Sequence, residues 1–471
     1  MKFNLRLFGM ALGPLLFFII LLYPTPEGMN ETAKIVLAIS VWMIVWWITE
    51  AIPVYATALL PIGLIPLMGI LPVKDIASEY MHPIIVLLLG MFMIALAIEK
   101  SGLHRKIAFE LISVFGYSPR RIVWGFIITT ALLSTVVMST TVVLILLPVA
   151  AVVLSSIPAN LLSKNFKTIF MLSIAYSSSI GSVATLIGAP PNLLYAGTMM
   201  ELFQHKVTFA EWSLLGAPLS IMMLILCGLY MSSRIGHTNS EVIISIKQTM
   251  VLEKSNVGKM TREQKTVLVV LFVVLSLMFT TPIWQPEDSF ITNSVIAILG
   301  GISLFVLPKT RSESLMNWAG IEKLPYGLLF LLGGGLALSL AFIESGLADW
   351  IASSLSFVKD YPAEIIIVVL VAMIMFLTNI KSNTATAAIF IPIVGTMSIQ
   401  NGWNPLPILF AITVATSFAF LLPMGTPPNA LIYEHAKISI KEMIKNGIVL
   451  NIIAIGLISL FTILVSTKIL I

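Results

Sequence analysis

The 471-residue chain is poor in most of what a soluble protein uses. It has one cysteine, Cys227, set in an apolar run, which excludes a disulfide framework and a cysteine metal cluster. Charged residues make up only 10% of the chain, and the 22 Asp and Glu read as lying in loops or near the ends of apolar runs. The five histidines have no metal-ligand spacing along the sequence, and no carboxylate pair falls mid-run. The chemistry of an enzyme therefore has no foothold, and neither cofactor nor resident metal is expected.

What is abundant is apolar. Hydrophobic residues make up 58% and mean hydropathy is +1.01, values that exclude a string of soluble domains. The apolar runs have helical length and lack period-two alternation, so they read as membrane-spanning helices and not as an outer-membrane barrel. Spans are expected near 8–23, 34–49, 54–71, 83–98, 168–185, 213–232, 266–281, 290–306, 327–343, 405–421 and 446–466. The first is preceded by Lys2 and Arg6 but followed by no small-residue cleavage site, so it reads as a span and not a signal peptide. Two further stretches, 121–156 and 362–398, are interrupted midway by polar residues and read as re-entrant hairpins. With the N-terminus placed in the cytoplasm and the C-terminus outside, most of the 27 Lys and Arg fall on the cytoplasmic side of this map. The net charge of +5 thus reads as orientation in a cytoplasmic (inner) membrane, with no nucleic-acid partner.

The polar stretch 234–265, read as a cytoplasmic linker, separates two halves with the same punctuation. Ser101-Gly102-Leu103 matches Ser345-Gly346-Leu347, and Gly90 precedes the first as Gly334 precedes the second. The step from Gly102 to Met138 equals that from Gly346 to Ser382. Downstream, Gly188-Ala189-Pro190-Pro191-Asn192 matches Gly425-Thr426-Pro427-Pro428-Asn429. Each repeat, within 1–233 after an extra N-terminal span and within 266–471, holds an odd number of crossings, so the second enters inverted. Inverted repeats with broken helices are the build of secondary transporters.

Two features carry the chemistry. Gly-x-Pro-Pro-Asn inside a span breaks the helix, because proline removes a donor and pushes the preceding residue out of the α region. The freed backbone groups are tolerated at membrane depth only in a polar cavity or inside protein, so paired breaks at Pro190 and at Thr426-Pro427 point to one shared cavity. The hairpin tips, Met138-Ser139-Thr140-Thr141 and Ser382-Asn383-Thr384, start half-helices whose N–H groups and positive dipole ends suit a carboxylate.

The sequence resembles the divalent-anion:sodium symporter family over nearly its whole length. The resemblance rests on Trp46-Trp47-Ile48-Thr49-Glu50-Ala51-Ile52-Pro53, Gly333-Gly334-Gly335-Leu336-Ala337, Ser382-Asn383-Thr384-Ala385-Thr386 and the Gly425-Thr426-Pro427-Pro428-Asn429 run. It implies transport of di- or tricarboxylates, a homodimer, and a scaffold against which a transport domain carrying both hairpins moves as an elevator. It also implies that Ser139, Thr140, Ser382, Asn383 and Thr384 bind substrate carboxylates. The residual sodium positions would be Ser134, Thr378, Ser382 and Asn383.

Two departures from the family pattern matter. Met138 and Ala189 stand where the family carries oxygen-bearing side chains, and methionine sulfur is a poor ligand for a hard cation. Lys381 directly precedes the second tip. A lysine at the bilayer centre costs roughly 2.5–3.5 kcal/mol, and a substrate carboxylate about 4 Å away would return about 4 kcal/mol at an effective dielectric of 20. Lys381 is therefore expected to face substrate in place of a sodium ion, which favours dicarboxylate:dicarboxylate exchange over sodium-coupled symport.

Overall fold

The computed structural model describes residues 5–158, 160–236, 240–285, 290–309, 313–354 and 361–469. Among them no strand is named; the elements are helices, with one isolated bridge between Pro308 and Ser314. The early helices are α1 (Leu5–Leu22), α2 (Glu31–Thr49), α3 (Val54–Thr57), α4 (Leu60–Leu67), α5 (Val73–Glu79), α6 (Pro83–Lys100) and α7 (Leu103–Phe115). The first hairpin is α8 (Pro119–Ser134) and α9 (Ser139–Ser156); α10 (Lys164–Ser182), α11 (Pro190–Phe203) and α12 (Phe209–Ser233) follow.

After α13 (Ser240–Val257) come α14 (Arg262–Trp284), α15 (Asn293–Val306), α16 (Trp318–Ile321), α17 (Tyr326–Glu344) and α18 (Leu347–Ser354). The second hairpin is α19 (Ala363–Ile380) and α20 (Asn383–Asn401), and the chain ends with α21 (Pro405–Ser417), α22 (Pro427–Ala436) and α23 (Ile440–Ile469). Among the described residues, seven helices or helix pairs are long and apolar enough to cross a membrane by length and composition.

The stretch 234–265, read as a polar linker, contains a helix. Val242, Ile246 and Met250 recur every four residues, and all three are buried on the side of α13 that packs on α7 and α9. Its polar residues hide that stripe from a hydropathy window.

The matched glycines have similar local geometry. Gly102 and Gly346 both take the left-handed backbone, φ 71° and 73°, where α6 turns into α7 and α17 into α18. Gly90 and Gly334 are close-approach points: a Cβ would fall 2.4 Å from the Ala297 backbone and 2.3 Å from the Ala58 carbonyl oxygen. The halves also cap each other. Gln264 at the start of α14 donates to the Ser101 carbonyl oxygen at 3.0 Å, while Asn30, the N-cap of α2, donates to that of Ser345 at 2.9 Å.

Candidate functional site

Both broken helices form where the Pro-Pro pairs require. Chain leaving α10 at Ser182 runs through Ala189 in extended backbone, φ −143° and ψ 143°, before α11 starts at Pro190. α21 likewise ends at Ser417, and α22 starts at Pro427 after Thr426 in the same extended state, φ −140° and ψ 150°. One asparagine staples each break. Asn192 Nδ2 donates to the carbonyl oxygens of Ser182 and Thr185 at 3.0 and 2.8 Å. Asn429 Nδ2 donates to those of Ala419 and Leu422 at 2.8 and 3.2 Å. Each amide thereby bridges two backbone carbonyls across the break.

The tips and the breaks meet at one cavity of about 300 Å³. Ser139 and Thr140 line it from the first tip, Ser382, Asn383 and Thr384 from the second, and Pro190, Thr426 and Pro427 from the breaks. Four helices therefore begin on its wall: α9, α11, α20 and α22. Thr426 caps α22 by accepting from the Asn429 N–H at 3.1 Å, but α9, α11 and α20 have no side-chain cap. Pro190 and Pro191 remove donors from α11, so the free first-turn N–H groups belong chiefly to α9 and α20, one from each hairpin. Each N-terminus carries about half a positive charge. Such a wall holds a dianion at two points without a formal cation.

The remaining expected residues lie behind or beside the cavity. Ser134 and Thr378 are fully buried beneath the two tips and do not line it. Thr378 Oγ1 is 2.6 Å from the Thr416 carbonyl oxygen and 2.9 Å from Asn383 Oδ1, whereas Ser134 Oγ has no partner among the described residues. The hydroxyl of Thr378 has one proton for two acceptors. The second oxygen pair is relieved either by a flipped Asn383 amide or by a cation.

Lys381 is placed elsewhere than expected. It is absent from the cavity wall, and its ammonium donates to the Ile48 carbonyl oxygen in the last turn of α2. A lysine next to a helix C-terminus meets the negative end of that helix and its unpaired carbonyls, so Lys381 has a partner without any substrate carboxylate.

Three site features escaped the sequence reading. Glu50, the left-handed cap of α2 at φ 49°, lines the cavity, although from sequence every acidic residue reads as lying in a loop or near the end of an apolar run. Ser417 also lines it, with a buried Oγ that has no partner among the described residues. His82 meets Glu79 and Glu201 in space, although the histidines have no ligand spacing along the chain.

Comparison with known proteins decides the family. Residues 7–471 match the family described as the sodium:sulfate symporter transmembrane region. The chain belongs to that family. It is 35% identical to the sodium-dependent dicarboxylate transporter SdcS of Staphylococcus saprophyticus, over 97% of this chain and 90% of that protein. It is 37% identical to the protein of the same name from Staphylococcus aureus, over 95% and 89% of the two chains. In fold it is similar to the Alcanivorax borkumensis YdaH transporter, described as having an unusual topology, with TM-score 0.58 at 15% identity over 86% of this chain and 88% of that one. This member of the family is thus a multi-pass membrane transporter and not an enzyme.

Proposed function

We propose that this transporter carries small dicarboxylates of the succinate, malate, fumarate and 2-oxoglutarate class, coupled to sodium. The observation that carries the substrate class is the pair of uncapped helix N-termini, α9 and α20, on the wall of one cavity of about 300 Å³. They offer two donor sets for two carboxylates. The relatives at 35–37% identity are named sodium-dependent dicarboxylate transporters, which supports the same cargo.

For coupling, the oxygen cluster of Thr378, Asn383 and the Thr416 carbonyl favours a co-transported sodium ion beneath the second tip. Exchange without sodium relied on Lys381 as the substrate's counter-charge, and the ammonium lies on Ile48 instead. Met138 still keeps exchange as a second reading, because the first tip offers sulfur where a sodium ligand needs oxygen. Purified protein in empty vesicles decides between them. Labelled succinate uptake driven by an inward sodium gradient, and lost in potassium or choline, is the expected result. Uptake only into dicarboxylate-loaded vesicles, indifferent to sodium, would establish exchange.

The remaining arrangement is part of the same reading: eleven spans and two re-entrant hairpins, inverted repeats over 1–233 and 266–471, the N-terminus cytoplasmic, a homodimer, and elevator-type movement. Supporting it are the matched breaks, tips and reciprocal caps, together with the family resemblance. Cysteine accessibility from the two faces tests the orientation, and crosslinking in membranes tests the dimer.

A further inference from the structure

Off the cavity wall, between the start of α6 and the end of α11, stand three side chains: Glu79, His82 and Glu201. Their ligating atoms all lie within 4.8 Å of one another. Glu79 is only 7% exposed, and its Oε2 has no hydrogen-bond partner among the described residues. No Lys or Arg among those residues forms an ion pair with Glu79 or Glu201. A buried carboxylate without a counter-charge is strongly disfavoured, so Glu79 is either neutralised by a proton or paired with a cation, and two further ligands beside it favour the cation.

The spacing points to the kind of cation. His82 Nε2 is 3.5 Å from Glu201 Oε1, too long for a charge-assisted hydrogen bond of about 2.7–2.9 Å. Two ligands on a tetrahedral ion with bonds of about 2.0–2.2 Å stand about 3.3–3.6 Å apart. The donor set, one imidazole and two carboxylates, suits zinc-class ions better than calcium or magnesium, which take oxygen alone. His82 is held as the N-cap of α6, its Nδ1 accepting from the Ile84 N–H at a long 3.3 Å. Metal on Nε2 displaces the ring proton to Nδ1, and this long contact is the one that yields. The Glu201 side chain is 20% exposed, which opens the site to solvent and leaves a fourth position for water.

We propose that Glu79, His82 and Glu201 bind one divalent transition-metal ion of the zinc class, at a site separate from the substrate cavity. The ion joins the far end of α11, whose first residue is on the cavity wall, to α5 and α6. On the orientation proposed above, the site lies on the extracytoplasmic side, where external metal reaches it.

Cobalt(II) is the probe, added to the purified full-length protein in detergent and followed by visible d–d absorption and by melting temperature. One ion per chain should bind saturably, with absorption of tetrahedral strength and a raised melting temperature. Glu201→Gln and His82→Gln should each weaken binding by at least about tenfold. His205→Gln removes the neighbouring His205–Glu211 pair, whose 2.7 Å contact is that of an ordinary hydrogen bond, and should leave binding unchanged. Should His82→Gln fail to fold, the partly exposed Glu201 carries the test. Absence of saturable cobalt uptake, wild-type affinity in Glu201→Gln, or loss of binding in His205→Gln would each overturn the proposal.

Discussion

Replacing Thr378 by valine keeps its buried volume and β-branching and removes one oxygen. That oxygen is 2.6 Å from the Thr416 carbonyl oxygen and 2.9 Å from Asn383 Oδ1. Its loss strands the Thr416 carbonyl and releases Asn383, the first residue of α20 and part of the cavity wall. A stranded buried acceptor costs about 1–3 kcal/mol. If Thr378 Oγ1 is a sodium ligand, the loss of that ligand falls on the loaded protein alone, and a coupling of about 1–3 kcal/mol appears as roughly a 5- to 150-fold loss of apparent sodium affinity. If it serves only packing, the cost of the stranded acceptor falls equally on empty and loaded protein and transport affinity does not change. The assay is initial succinate uptake in vesicles against sodium concentration, with melting temperature in detergent measured alongside. Half-saturating sodium should rise at least about fivefold in Thr378→Val and return towards wild type in Thr378→Ser. A folded Thr378→Val with wild-type sodium dependence would refute the assignment.

Other variants separate the remaining roles. Asn383→Ala and Thr384→Ala should abolish or severely weaken uptake while the protein stays monodisperse, whereas Ser139→Ala and Thr140→Ala should have smaller effects because backbone N–H groups at the first tip supply much of the binding. Lys381→Met should keep the substrate KM within about threefold of wild type, since its ammonium is on Ile48. A loss of uptake above tenfold in a folded Lys381→Met would return Lys381 to the site. Gly334→Ala puts a Cβ 2.3 Å from the Ala58 carbonyl oxygen and should lower stability by about 1–3 kcal/mol, read as a lower melting temperature; Gly63→Ala, with open space around it, should not.

The sequence showed the site wherever backbone chemistry governs it. Pro190 and Pro427 break helices wherever they stand, and glycine and hydroxyl punctuation marks tips whatever surrounds them, so breaks, tips and shared cavity were legible. What stayed hidden depends on where a flexible side chain ends or on distant pairing. Lys381 has enough rotatable bonds to reach α2, and no local pattern tells which partner it finds. Glu50 faces the cavity because the left-handed turn after Thr49 redirects it, and φ of an exposed glutamate is not written in composition. His82 and Glu201 lie far apart in the chain and meet only when α11 packs beside α6. The helix in 240–257 was missed because three buried residues in a charged stretch barely move a hydropathy average.

The reciprocal caps have a consequence for biogenesis. Two amide side chains complete helix ends far away in the chain: the carbonyl end of α6 waits for Gln264, and that of α17 for Asn30. While the ribosome is still making the second half, the first is inserted but open at Ser101, and Asn30 has nothing to hold. A stop codon after α12 therefore leaves a fragment exposing an unfinished helix end to quality-control proteases. Two separately encoded halves, made in the same cell, should rescue each other's lifetime in the membrane.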